Sequence, residues 1–186
     1  GRPVVSHIVG HDAQAQDFLA AMRGDRPHHG WLFVGPEGLG KAELAVGLAR
    51  RALAESSGIA VTADGWDVPV DHPTARYMAS GAHPDFYLLN RLPKDDKLLG
   101  KPRDEWPDKV EFNRSIKVDQ VRALTAKFAT KPSLSERRMV VIDSADDLEA
   151  GGANALLKTL EEPPSGTVFI LISHAPGRLL PTIRSR

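Results

Sequence analysis

Residues 35–42 constrain the fold of this chain more than any other stretch. They match the phosphate-binding pattern G-x-x-x-x-G-K-[S/T] at every defined position except the last. An apolar run typical of a buried strand precedes them at 31–34, and a helical pattern follows from Gly40 to about residue 54. The predicted phosphate loop consists of Gly35, Pro36, Glu37, Gly38, Leu39, Gly40, Lys41 and Ala42.

The chemistry of such a loop depends on its glycines, its lysine and the helix behind it. Glycines let successive backbone N–H groups converge on an anion, while the helix N-terminus adds partial positive charge and Lys41 a full one. A working loop then places Ser or Thr after the lysine, because that hydroxyl binds the magnesium ion of the nucleotide. Ala42 has no oxygen. We expect phosphate binding to be possible here and metal binding to be poor.

A second stretch bears on the same chemistry. Residues 138–143 form an apolar strand that ends on Asp143, where a Walker B acid would lie near the magnesium. ATPases of this kind continue with a glutamate that orients the attacking water, and this chain has Ser144 there. A positioned general base contributes about 100- to 10,000-fold to the rate. We therefore expect no ATP hydrolysis at this site, and we interpret Asp146 as the cap of the next helix.

Apolar strands alternate with amphipathic helices along most of the chain. This pattern predicts a single α/β domain over 1–186 with a doubly wound parallel sheet. Residues 57–117 are irregular, with one convincing strand at 86–89, and the charged stretch 94–108 is interpreted as a solvated loop rather than a binding element. The other predicted strands are 31–34, 138–143 and 168–172, and the predicted helices are 12–22, 40–54, 118–128 and 153–160.

Composition excludes several classes of protein. The chain has 24 basic and 24 acidic residues, whereas a protein that coats nucleic acid with its whole surface is clearly basic. It has no cysteine, so disulfides and thiolate zinc sites are excluded. No apolar run approaches the roughly 20 residues that span a bilayer, and there is no signal-peptide pattern. We expect a cytoplasmic protein with no membrane partner.

Two C-terminal motifs carry a family resemblance. Residues 154–164, Asn-Ala-Leu-Leu-Lys-Thr-Leu-Glu-Glu-Pro-Pro, and residues 179–186, Leu-Leu-Pro-Thr-Ile-Arg-Ser-Arg, strongly resemble the AAA+ clamp-loader subunits of bacterial DNA polymerase III. The His83-Pro84-Asp85 step is similar to them as well. The resemblance implies a RecA-like P-loop NTPase fold, a three-layer sandwich with about five parallel strands. It also implies a helical lid and a collar domain beyond residue 186.

Within that family, motor subunits keep the loop hydroxyl and the Walker B glutamate. Delta-prime subunits typically alter both yet keep a Ser-Arg-Cys motif, and this chain resembles them. The resemblance implies that Arg186 is an arginine finger acting in trans, within a hetero-pentamer of motor and delta subunits that loads the sliding clamp onto primed DNA. No cofactor would be required, although the loop is compatible with residual ADP, ATP, phosphate or sulfate.

The chain departs from the family at two further places. Family members commonly bind zinc through four cysteines, whereas this chain has only His72 and His83 in that region, so we expect no metal. Ser173 and His174 occupy the sensor position where motors often have Thr or Asn.

Two other classes of function remain open from sequence. One is an enzyme, either an active ATPase motor subunit of the gamma or tau kind, another P-loop ATPase, or a small-molecule kinase; Ala42 and Ser144 argue against it. The other is a DNA-binding module acting alone, which the zero net charge disfavours.

Overall fold

The computed structural model describes residues 7–9, 12–24, 28–35 and 40–175. Within them, five parallel strands form one sheet in the order β1-β2-β5-β4-β3. This arrangement confirms the predicted parallel sheet of about five strands. The elements in chain order are β1 (His7–Val9), α1 (Asp12–Arg23), β2 (Gly30–Val34), α2 (Lys41–Glu55), α3 (Pro73–Ala79), β3 (Phe86–Asn90), α4 (Val118–Ala126), β4 (Arg138–Asp143), α5 (Ala150–Glu161) and β5 (Thr167–Ser173).

Helices cover both faces of the sheet. Alternate side chains of a strand point to opposite faces, so Met139 and Val141 pack in one apolar cluster with α1 and α2. Val140 and Ile142 pack in a second cluster with α4 and α5. Both faces of the central strands are therefore buried, which explains why their sequences are continuously apolar rather than alternating.

Two elements were missed from sequence. Strand β1 has only three residues and is held by parallel pairing with β2, so it carries too few residues for a periodic signal. Helix α3 lies within the stretch predicted to be irregular. Its N-cap is His72, whose ring nitrogen accepts the N–H of Thr74. Histidine is not among the usual capping residues, so the only standard start signal there is Pro73 at the first helical position.

The charged stretch 94–108 contains no α-helix or strand, as predicted, but it has two short 3₁₀ turns, Asp96–Leu98 and Arg103–Glu105. Most of its side chains are exposed, whereas Leu98, in the first turn, is buried. The indole of Trp106 packs on Phe112, with ring centroids 6.2 Å apart.

In the part of the chain that the structure describes, no helix has both the length and the apolar character that crossing a bilayer requires.

Candidate functional site at the carboxyl edge of the sheet

The sheet order brings three separate sequence motifs to one edge. Strand β5 lies between β2, which leads into the predicted phosphate loop, and β4, which ends on Asp143, the predicted Walker B acid. Val34 pairs with Ser173, and Asp143 pairs with Ile172. The sensor residues therefore lie between the start of the loop and the acid, at the edge where parallel α/β sheets bind ligands.

The structure describes both ends of the phosphate loop. Gly40 has a φ of 71°, a left-handed conformation that suits glycine, and Lys41 is the first residue of α2. The stem of Lys41 folds back over Gly35, since a Cβ added to that glycine would lie 2.5 Å from the lysine Cε. A larger residue at Gly35 would displace the lysine. Four residues of the predicted loop, Pro36, Glu37, Gly38 and Leu39, lie outside the described residues, as does Arg186.

Ala42 lies on the buried side of helix α2. Its methyl group packs against the apolar cluster between the sheet and helices α1 and α2. The side chain at this position thus contributes to packing and offers no metal ligand.

Ser144 follows the Walker B acid and is buried, with 5% of its surface exposed. Its hydroxyl donates to Oδ2 of Asp146 at 2.9 Å and accepts the N–H of the same residue at 3.2 Å. The hydroxyl is therefore engaged within its own turn. The adjacent Asp143 carboxylate is more open, at 32% exposure.

The interpretation of Asp146 as a helix cap is wrong. It lies in a 3₁₀ turn, Ala145–Asp147, and helix α5 begins later, at Ala150. The turn directs the carboxylate of Asp146 to the end of β5. This contact could not be predicted from sequence, because it depends on the order of the strands. There the carboxylate accepts hydrogen bonds from Ser144 Oγ at 2.9 Å, Ser173 Oγ at 2.7 Å, His174 N at 2.7 Å and Ala175 N at 3.2 Å.

These contacts change the acidity of Asp146. Burial alone would raise its pKa, but the hydrogen bonds from His174, Ser173, Ser144 and Ala175 together outweigh burial and lower the pKa below the usual carboxyl value. The carboxylate is therefore held in its charged form by its neighbours.

His174 connects the loop to the acid. Its Nδ1 lies 3.1 Å from the carbonyl oxygen of Gly35, and its Nε2 lies 4.0 Å from Oδ1 of Asp143. Because a carbonyl can only accept, Nδ1 carries the proton in this contact. Both predicted sensor residues are thus part of the site.

A polar cleft of about 230 Å³ opens beside Asp143. It is smaller than the roughly 300–1,000 Å³ usual for small-molecule sites. One wall comes from the region between β3 and α4, where Arg91 forms a loose ion pair with Asp147 at 3.6 Å. The lining residues are Asn90, Arg91, Arg103, Phe112, Asp143, Ser144, Asp147 and His174.

The resemblance drawn from the sequence implies a magnesium–nucleotide complex at this edge, but the described residues do not fit one. Ala42 supplies no oxygen, and the hydroxyl of Ser144 is engaged by Asp146. Among the described residues, no group of three or more His, Cys, Asp or Glu side chains is placed to hold a metal ion.

His72 and His83, the two histidines considered in the sequence as zinc ligands, stabilise local turns. Nδ1 of His72 accepts the N–H of Thr74 at 3.1 Å, and Nδ1 of His83 accepts the N–H of Asp85 at 3.0 Å. Burial lowers the pKa of His83 despite the opposing effect of the nearby Asp85 charge, and this lowering favours the neutral ring.

The comparisons with known proteins decide the family. A family model described as "DNA polymerase III, delta subunit" matches residues 10–186. This chain belongs to that family. The resemblance drawn from the C-terminal motifs is thereby confirmed.

Individual relatives agree with the family. The chain is 35% identical over 173 residues to the DNA polymerase III subunit delta' of Pseudomonas aeruginosa, covering 92% of this chain and 45% of the relative. It is 33% identical over 163 residues to the delta' subunit of Bacillus subtilis, covering 87% and 41%. The tau subunit of Bacillus subtilis is less similar, at 28% identity over 96% of this chain and 27% of the relative.

The chain therefore spans less than half the length of these curated relatives. Among solved structures, a DNA polymerase III gamma subunit-related protein of Thermotoga maritima matches with a TM-score of 0.41 and 24% identity, covering 74% of this chain and 42% of that one.

Proposed function

We propose that this member of the DNA polymerase III delta family acts as a non-catalytic delta-prime subunit of the clamp loader. In this role it supports ATP-dependent loading of the sliding clamp onto primed DNA in the cytoplasm. Its partners are the motor and delta subunits of a hetero-pentamer, and a lid and a collar domain belong to the same subunit. Nucleic acid contact is local or made by partner subunits, since the chain has equal numbers of basic and acidic residues.

One observation carries this proposal. At the carboxyl edge of the sheet, the two positions that would supply a metal-binding hydroxyl and a general base hold Ala42 and Ser144. The half-buried alanine methyl packs against the apolar core, and the serine hydroxyl is bound to Asp146. Loss of a positioned base by itself costs about 100- to 10,000-fold in rate. A site of this kind supports anion binding at most.

The contribution to the complex then comes from Arg186. An arginine finger supplied in trans stabilises the charge that develops during phosphoryl transfer, and it raises the rate by roughly 10³- to 10⁵-fold. A subunit can therefore lose its own hydrolysis while it completes the ATP site of its neighbour.

The test is ATP hydrolysis by the reconstituted clamp loader with sliding clamp and primed DNA. We expect Arg186→Ala in the full-length protein to reduce hydrolysis strongly and Lys41→Ala to leave it nearly unchanged. Arg184→Leu serves as a matched control, because it removes a neighbouring guanidinium from the same motif. Normal turnover by the Arg186→Ala complex would remove the finger from the proposal.

The isolated full-length protein tests the rival function. We expect no phosphate release from ATP in the presence of magnesium. Release that disappears in Lys41→Ala would instead identify an active ATPase motor subunit.

A further inference from the structure

The end of strand β5 holds the backbone of Gly35 from two sides. The N–H of Gly35 donates to the carbonyl of Ser173 at 3.2 Å. The carbonyl of Gly35 accepts from Nδ1 of His174 at 3.1 Å. Both polar backbone atoms of Gly35, the first residue of the predicted phosphate loop, are therefore bonded to the last residue of β5 and to the residue that follows it.

Asp146 in turn holds the end of β5. Its Oδ1 accepts from the hydroxyl of Ser173 at 2.7 Å, and its Oδ2 accepts the backbone N–H groups of His174 at 2.7 Å and Ala175 at 3.2 Å. Hydrogen bonds to an ionised carboxylate are shorter and stronger than neutral ones. One charged group thus fixes three consecutive residues, including the one that reaches Gly35.

We infer that Asp146 and His174 are positioning residues that hold the entrance of the phosphate loop in place without a nucleotide. We call the set of Gly35, Asp146, Ser173 and His174 the β5 clasp. In the clasp, Asp146 fixes the backbone of His174, and the ring of His174 fixes the carbonyl of Gly35. The Nε2 side of the ring faces the Asp143 carboxylate at 4.0 Å, so His174 lies between the loop entrance and that acid.

The physical consequence concerns local order. Ligand-binding loops belong to the less stable parts of a fold, and a bound anion usually supplies the contacts that order a phosphate loop. Here hydrogen bonds within the protein supply such contacts at the loop entrance. A clasped entrance suits a subunit that keeps one conformation while its neighbours bind and release nucleotide.

This inference does not depend on the arginine finger. The β5 clasp consists of contacts within one chain, and amide exchange at Gly35 measures them on that protein alone. The ATPase test of Arg186→Ala and the test of the clasp can therefore fail separately.

The test is amide hydrogen exchange of the Gly35 N–H, followed by NMR in the nucleotide-free, full-length protein. We compare wild type with His174→Ala, His174→Asn and His174→Gln. The amide nitrogen of asparagine occupies nearly the position of histidine Nδ1, whereas that of glutamine corresponds to Nε2. We therefore expect Ala and Gln to accelerate exchange at Gly35 about fivefold, the effect of losing one net hydrogen bond, and Asn to stay close to wild type.

Asp146→Ala extends the test to the second positioning residue, and we expect it to accelerate Gly35 exchange at least as much as His174→Ala. Asp147→Asn is its matched control, because Asp147 lies in the same turn but its carboxylate pairs with Arg91 outside the clasp. The amides of Val141 and Ile170, in the middle of the sheet, report global unfolding. The acceleration expected at Gly35 is therefore the part that exceeds any change at these two amides.

Three results would overturn the inference. The first is unchanged exchange at Gly35 in His174→Ala and Asp146→Ala. The second is equal acceleration by Ala and Asn at position 174, which would show that the donor to Gly35 is unimportant. The third is a marked slowing of wild-type Gly35 exchange when ADP and magnesium are added, which would show that nucleotide rather than the clasp orders the entrance.

Discussion

The carboxylate of Asp85 accepts the backbone N–H of Ser133 at 2.7 Å, although the two residues are 48 positions apart. The same carboxylate accepts the N–H groups of Leu134 at 2.8 Å and Ser135 at 2.9 Å. Asp85 thus organises the turn that leads into strand β4. The His83-Pro84-Asp85 step, noted in the sequence only as a family feature, has a structural role in this chain.

The first prediction concerns this turn. Asp85→Asn should lower the free energy of unfolding by about 2–3 kcal/mol, because an NH₂ group would then face backbone N–H donors at a position with 1% exposure. Urea denaturation measures the change. Asp108→Asn, at an exposed position, is the control and should change stability by less than about 0.5 kcal/mol. Equal stability of the two variants would contradict the assigned role of Asp85.

The second prediction concerns pH. Because the folded-state pKa of Asp146 is lowered, its contribution to stability is present above the unfolded-state pKa of about 3.9 and is lost as pH falls through the folded-state value. Asp146→Asn should cost about 1–2 kcal/mol at neutral pH, since the carboxylate is partly open to solvent. The difference from wild type should shrink below about pH 4.

Urea denaturation at a series of pH values checks this dependence on Asp146. Asp108→Asn is again the control, and its difference from wild type should stay near zero throughout. A penalty for Asp146→Asn that stays constant down to pH 2.5 would show that the charge of this carboxylate contributes nothing.

The third prediction compares two glycines with left-handed backbone conformations. Gly166 has a φ of 75°, and a Cβ there would lie 2.9 Å from the carbonyl oxygen of Glu136. Gly58 has a φ of 83°, and nothing lies within 4 Å of its added Cβ. Gly58→Ala should cost about 1 kcal/mol from backbone strain alone, whereas Gly166→Ala should cost more because the turn before β5 must move. Thermal unfolding of the two variants provides the comparison, and a smaller loss for Gly166→Ala would refute the steric argument.

The fourth prediction concerns an ion-pair network between helices α1 and α2. Glu55 binds Arg23 through two contacts, of 2.7 and 2.6 Å, and Arg51 through one contact of 2.5 Å. The hydrogen bond from Arg23 lowers the pKa of Glu55 against the opposing effect of burial, and Arg51 adds to the lowering. Glu55→Gln should reduce stability by about 1–2 kcal/mol at low salt.

Ionic strength separates the two partners of Glu55. Arg23 is half exposed, so its share of the loss should decline in about 1 M salt, whereas Arg51 is 9% exposed and its share should persist. Urea denaturation at both salt concentrations measures this. Glu162→Gln, at an exposed position, is the control. A loss that is identical at both salt concentrations would contradict a role for the Arg23 pair.

The sequence by itself determined the elements that depend on local residue patterns. Strands buried on both faces have continuous apolar runs, and helices buried on one face have apolar residues at helical spacing. These patterns are visible in the sequence at β2, β3, β4 and β5 and at α1, α2, α4 and α5. The spacing of the loop glycines and Lys41 predicts a phosphate loop between β2 and α2, and this prediction also rests on a local pattern.

Only the tertiary structure decided which of these elements meet. The position of β5 between β2 and β4 follows from pairing between strands far apart in sequence, and no local pattern encodes it. Because of that strand order, Asp146 accepts hydrogen bonds from Ser173 and His174 instead of capping a helix. The same order places His174 against Gly35. The residues near Asp143 could be identified from the sequence. Their hydrogen-bond partners could not, because these depend on packing between segments that are far apart in the chain.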